Sequence, residues 1–260
     1  MIDFPLFSQI RLRSLTPIAI YFVLMLGVLF VGASVAEEAG PELRLGTLDL
    51  PPYGWKNADG SCHGIVYQMH QEIGERTGLR FTNEIVPFAR MLDMLKNGQL
   101  DMVTSQPHDT AQQAGDPLIV QNKMNVIVGT NKNSRIHTHE DLRGKNFLYI
   151  IAASYPTLDG YPQNIYKVRN YQIMLKMLYA RSLDAGVFSE PAYYYWMKKL
   201  GYSPGDFGQV IHTDTRDDWA FVRKDLPEET REKLRQAIVS LQQEQYYERL
   251  LEELKREANY

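Results

Sequence analysis

The sequence contains a single cysteine, Cys62, so no intramolecular disulfide can close and stability must come from packing. It has no Cys/His cluster with zinc-site spacing, no His-Glu-x-x-His pair, no Gly-x-Ser-x-Gly elbow and no glycine-rich phosphate loop. These gaps remove the common metal, esterase and nucleotide chemistries. Basic residues are not in excess, with 28 Lys and Arg against 31 Asp and Glu for a net charge of -3, which excludes a nucleic acid as partner. Low-complexity stretches and repeats are also missing beyond residue 36. What remains, 44% apolar and 23% charged residues over 260 positions, suits a globular chain with one or two packed cores rather than a disordered or collagen-like one.

The amino end reads as a targeting segment. Arg11 and Arg13 precede a run free of charge from Ser14 to Ala36, with an apolar heart from Ile18 to Ala33 and small residues at Ser34, Val35 and Ala36. That pattern predicts a secretory signal over residues 1–36 and a mature chain in the periplasm. The run also reaches the ~20 apolar residues that a membrane span needs, so a retained anchor is the alternative.

Beyond residue 36, strand-like runs alternate with amphipathic helical ones, the mark of an α/β protein with a largely parallel sheet. Leu43 to Leu48 reads as a first strand ended by Pro51 and Pro52. Apolar residues at Ile65, Val66, Met69 and Ile73 form a helical stripe closed by Gly78. Arg80 to Ile85 and Leu100 to Thr104 read as strands, separated by a helix opened by Pro87 and stopped by Gly98. The long β-branched run from Leu118 to Val128 suits an extended connector. A capping box at Thr138 and Asp141 opens a short helix. Phe147 to Ile151 then starts a second α/β unit, with a helix near Gln172 to Ala180, a strand Ala185 to Phe188 and a helix from Pro191 to Gly201. Val210 to Thr213 and Trp219 to Arg223 read as two separate strands, and tandem helices run to the end of the chain.

Several local patterns, in this order, resemble the family 3 extracellular solute-binding proteins. They are Leu43 to Thr47 leading to Pro51-Pro52-Tyr53, Gly64 before the first helix, and Leu95 to Asp101 before a strand. Leu142 to Lys145 before Phe147, Arg181 to Ala185, and the closing helices complete the set. The resemblance implies a two-lobed periplasmic-binding-protein-like fold, with 42–127 and 214–260 as lobe 1 and 128–213 as lobe 2. Hinged crossovers would lie near Val128 and Thr213. It also implies a monomer that binds a small polar solute, an amino acid or related molecule, and hands it to the membrane permease of an ABC-type transporter, with no cofactor, no metal and no catalysis. The chain departs from the family pattern in two places. No Arg lies between Arg90 and Arg135, where such proteins usually grip an α-carboxylate, and Ser189 with Glu190 stands where an Asp usually holds the α-ammonium.

Ligands of open α/β sheets sit outside the carboxyl ends of strands, so candidate contacts are sought there. Tyr53 and Trp55 follow the first strand and are candidates for stacking. Arg90, in the first turn after the second strand, is the candidate carboxylate grip. Ser105 and Gln106 follow the third strand, Ser154 and Tyr155 the first strand of the second unit, and Ser189 and Glu190 the buried strand from Ala185; Trp219 marks the return crossing. The run Tyr193 to Trp196 reads as helix packing. Two other functions stay open at this stage: a dehydratase- or lyase-like enzyme using Glu190, His108 and Arg90, and a membrane-anchored ligand sensor. The mass of the exported chain checks the leader, with an amino terminus at Glu37 expected; a membrane-bound chain still carrying residues 1–36 would establish the anchor instead.

Overall fold

The computed structural model describes residues 42–151 and 153–260; the expected signal or anchor lies outside the described residues. Ten strands are named in chain order: β1 (Leu43–Leu48), β2 (Trp55–Lys56), β3 (Cys62–His63), β4 (Phe81–Val86), β5 (Met102–Ser105), β6 (Asp116–Asn131), β7 (Asn146–Ile150), β8 (Asn164–Val168), β9 (Ala185–Ser189) and β10 (Phe207–Val222). Seven α-helices accompany them among the described residues: α1 (Ile65–Thr77), α2 (Phe88–Lys96), α3 (Asp109–Ala114), α4 (Tyr171–Tyr179), α5 (Glu190–Leu200), α6 (Glu228–Gln243) and α7 (Tyr246–Glu257). Among the described residues no helix is long and apolar enough to cross a membrane.

Eight strands form one sheet in the order β4-β1-β5-β10-β6-β9-β7-β8, and β2 with β3 makes a small separate hairpin. One half, β4-β1-β5, is parallel, and so is the other, β9-β7-β8. Between them run β6 and β10, each 16 residues long and antiparallel to one another. β10 attaches to the first half only through Trp219 to Val222 on β5, and β6 to the second only through Val126 to Thr130 on β9. The four rungs from Asn122–Asp218 to Asn125–Thr215 therefore pair with nothing but each other, and register shifts flank them at His212/Asp214 and Asp218/Trp219. This two-stranded neck is the narrowest part of the sheet.

The expected element order is observed, with differences that have physical causes. β10 is one strand where two were expected, because Asp214 to Asp218 is a polar run that pairs with β6 throughout. α3, β8 and the β2–β3 hairpin were not expected; β8 is an edge strand whose first four residues are exposed, so it carries no clear apolar alternation.

The first half packs Leu43, Leu45, Ile73 and Met102 against Leu234, Ile238 and Leu241 of α6, and Met91, Leu95, Leu100 and Val103 against Phe221. In the second half Phe147, Tyr149 and Val187 form one cluster, and a larger one joins Met174, Phe188, Tyr193 and Met197 to Ile65 and Met69 of α1 and Tyr247 and Leu251 of α7. Helix α7 thus packs on elements of both halves. Ion pairs Lys255–Glu190 (3.0 Å) and Lys198–Glu257 (2.6 Å) fasten it to α5, and Tyr260 lies edge-on to Tyr193 and Tyr194.

A buried carboxylate locks the first half. Asp101, 2% exposed, accepts from the Arg44 backbone N–H (2.7 Å), from Arg44 Nε and Nη2 (3.0 and 2.9 Å) and from Arg223 Nε (2.6 Å), tying β1, the approach to β5 and the end of β10 together. Burial alone would raise this carboxyl, but the donors from Arg44 and Arg223 outweigh it and hold it below its ordinary 3.8. Its stabilisation is present above the unfolded value and is lost as pH falls through the lower folded one. Asp101→Ala is expected to lower unfolding free energy by about 2–4 kcal/mol, read from denaturant midpoints at neutral pH.

Candidate functional site

Two adjoining hollows of about 700 and 470 Å³ share Phe88, Gln106, His108, Met124, Ala153 and Tyr171, and together make one cleft beside the neck. Its walls come from the turn after β1, the ends of β5 and α3, the segment after β7, and the start of α4. The floor comes from β6 and β10. Strand alternation places Asp214, Arg216 and Asp218 on one face of β10, across from Val126, Met124 and Asn122 of β6. Arg216, Asp218, Met124 and Val126 all line the cleft.

Local structure holds each side chain in place. Gly64 at φ 130° lets the chain pass so close to Tyr53 that a Cβ there would lie 2.2 Å from the Tyr53 carbonyl oxygen. The opening N–H groups of α1 consequently reach the carbonyls of Pro52 (2.9 Å) and Tyr53 (3.0 Å), which fixes the Tyr53 ring at the cleft wall. The Tyr53 hydroxyl donates to Ser189 Oγ at the end of β9, a bond from one half of the sheet to the other. Burial raises the phenol well above its ordinary value, so it stays a donor. Tyr171 also hydrogen-bonds Ser189, making a cluster of three hydroxyls.

Six expected contacts, Tyr53, Ser105, Gln106, Ser154, Tyr155 and Ser189, line the cleft. Four others are placed elsewhere. Arg90 is exposed on α2, whose buried face is Met91, Leu92, Met94 and Leu95. Glu190 turns to the opposite face of the neck, where it accepts from Asn125 Nδ2 (2.8 Å) and pairs with Lys255 (3.0 Å). Trp55 stacks on His63 (5.6 Å) and meets Tyr195 (5.3 Å) in a separate hollow of about 500 Å³. Trp219 packs against the cluster around Met91 and Phe221.

The charged groups that sequence reasoning missed are Arg216 and Asp218. Their signal was the alternation hidden in Asp-Thr-Arg-Asp-Asp, between the two strands expected there. Arg216 Nε donates to Asp214 (3.0 Å), Nη1 lies 3.5 Å from Gln106 Oε1, and its guanidinium carbon sits 5.0 Å from the centre of the Tyr155 ring. Asp218, 9% exposed, accepts from Asn122 Nδ2 (3.0 Å). Beneath this floor lies neutral His70, fully buried, with Nδ1 2.9 Å from Thr47 Oγ1 and Nε2 2.7 Å from Thr104 Oγ1; burial pushes it down to about 3. Thr104 itself lines the cleft, so the histidine sets its hydroxyl from below. The whole can bind a small polar molecule between hydroxyls, aromatic faces and one half-buried cation, Arg216.

The profile of bacterial extracellular solute-binding proteins, family 3, matches residues 43–254. Among solved structures, the chain is similar to an arginine 3rd transport system periplasmic binding protein from Legionella pneumophila, with 22% identity, a TM-score of 0.62, and 82% of this chain and 99% of that one covered. It is similar to substrate binding domain 2 of GlnP from Lactococcus lactis in an open conformation (19% identity, TM-score 0.63, 82% and 96% covered). A histidine kinase sensor domain with similarity to periplasmic binding proteins gives 18% identity, a TM-score of 0.66, and 84% and 97% covered. At these identities the likeness establishes the fold. No match was found among curated proteins.

Burial pushes the Asp218 carboxyl up to about 6, against the hydrogen bonds from Asn122 and Gln106. Between the ordinary 3.8 and that value the folded chain keeps a proton that the unfolded chain releases, so Asp218 makes stability fall as pH rises through this window. Asp218→Asn is expected to abolish that fall and to gain on the order of 2–3 kcal/mol at pH 7 relative to the parent, in denaturant titrations run at both ends of the window. A fall of the same size in the variant would show that the carboxyl is not its source.

Proposed function

Because the chain belongs to the bacterial extracellular solute-binding proteins, family 3, we propose that it captures a small polar solute, an amino acid or related molecule, in the cleft beside the neck and presents it to a membrane permease in the periplasm. The observation that carries this reading is the Tyr53–Ser189 bond over a hollow whose walls come from both halves of the sheet. A solute held there touches both sides at once, which is how binding becomes coupled to closure. In this reading bending concentrates in the rungs Asn122–Asn125 and Thr215–Asp218, where no third strand among the described residues stiffens the ribbon. Residues 42–121 and 219–260 then form one lobe and 126–214 the other, a few residues from the expected boundaries at 127/128 and 213/214 because Val126 and Ile127 already pair with β9. Ligand contacts are assigned to Tyr53, Ser105, Gln106, Ser154, Tyr155 and Ser189, joined by Tyr171, Arg216 and Asp218.

The role is binding without turnover. Glu190, the acid on which an enzyme reading depended, is tied to Lys255 and Asn125 away from the cleft. A thermal-shift screen of the purified chain against amino acids, small carboxylates, amines and sugars tests the proposal. A ligand at 100 times its dissociation constant should add ~2.7 kcal/mol of stability, a clear rise in melting temperature. A flat response to every compound would remove the solute-binding reading.

A further inference from the structure

Among the described residues lining the cleft, Arg216 is the one lysine or arginine, and it comes from the crossover strand rather than from a loop. Its surroundings fix it in three ways. Asp214, two residues earlier on the same face of β10, takes the Nε–H; the Tyr155 ring lies against the guanidinium; Gln106 approaches Nη1 at 3.5 Å. The remaining donor, Nη2, is buried and has no hydrogen-bond partner among the described residues. A buried charged donor without an acceptor is unfavourable, and the structure tolerates it here at the floor of a hollow. With Nε engaged by Asp214, the edge formed by Nη1 and Nη2 is the one without a carboxylate partner. That edge matches a carboxylate, whose two oxygens accept a pair of parallel N–H bonds.

On the reading that this cleft holds the solute, we propose that Arg216 is the ligand's carboxylate grip, taking the place of Arg90, which lies exposed on α2. The anion then sits on the neck itself, opposite Met124, with Gln106 of the first half and Tyr155 of the second on either side of the same guanidinium. Capture of the carboxylate and approach of the two halves become one event. Hydrogen bonds to a charged group of this kind set an expected effect of about tenfold to a hundredfold in affinity when the guanidinium is removed.

The test titrates the full chain with each proteinogenic amino acid and with the primary amide of each, followed by calorimetry on every acid that binds. The expected result has three parts: an acid binds, its amide binds at least about tenfold more weakly, and Arg216→Gln loses about tenfold to a hundredfold for the acid while Arg90→Gln binds as the parent does. Arg216→Lys, which keeps the charge and the stem, covers the case in which the glutamine variant fails to fold; the loss of the forked donor pair should weaken it several-fold, roughly, with an unchanged far-ultraviolet circular dichroism spectrum. Equal binding of acid and amide, or parental affinity in either Arg216 variant, overturns the assignment and leaves the solute-binding cleft intact. If no acid or amide binds but an amine or sugar from the wider screen does, the carboxylate grip is likewise overturned. If nothing in either set binds the parent, the cleft reading falls, and the role of Arg216 falls with it.

Discussion

Backbone hydrogen bonds between β6 and β10 are the constraint on which the molecule depends, since among the described residues no other strand pairing joins β4-β1-β5 to β9-β7-β8. The ribbon is anchored at each end by a third strand and is free of one in the middle. A ladder with both neighbours resists bending because each rung is buttressed; the rungs from Asn122 to Asn125 lack that support. The polar side chains of the neck point to two different environments as a consequence of strand alternation. One face supplies Arg216 and Asp218 to the cleft, and the other supplies Asn125 to Glu190 and α5.

Charge is distributed accordingly. The first half is locked by a carboxylate that donors hold ionised, Asp101, while the neck carries one that burial drives toward the neutral form, Asp218. The difference lies in partners: two guanidinium groups reach Asp101, whereas Asp218 receives amide donors. Rigid scaffold and adjustable floor are thus built from the same residue type placed in different company.

Much of the scaffold was legible from local signals. The stripe of Ile65, Val66, Met69 and Ile73 ended by left-handed Gly78 gave α1, and the reciprocal bonds of Thr138 and Asp141 match the expected capping box. Those signals depend on neighbours three or four residues apart. The cleft was harder because its decisive contacts are distant in sequence, with Arg216 meeting Gln106 across 110 positions and Tyr155 across the neck. Arg90 and Glu190 looked suitable by spacing from a strand, yet the face each presents was set by packing that spacing alone does not encode. His108, considered for acid/base work, caps α3 instead by accepting from the Ala111 N–H (3.2 Å).

The placement of α7 bears on how far the halves can travel. This rod of about 18 Å packs with both α1 and α5, and Lys255 on it pairs with the buried Glu190 of α5. Because Lys255 stands on α7 and Glu190 on α5, any wide separation of the two halves pulls this pair apart. The pair thus acts as a tether that limits how far bending at the neck can spread the cleft.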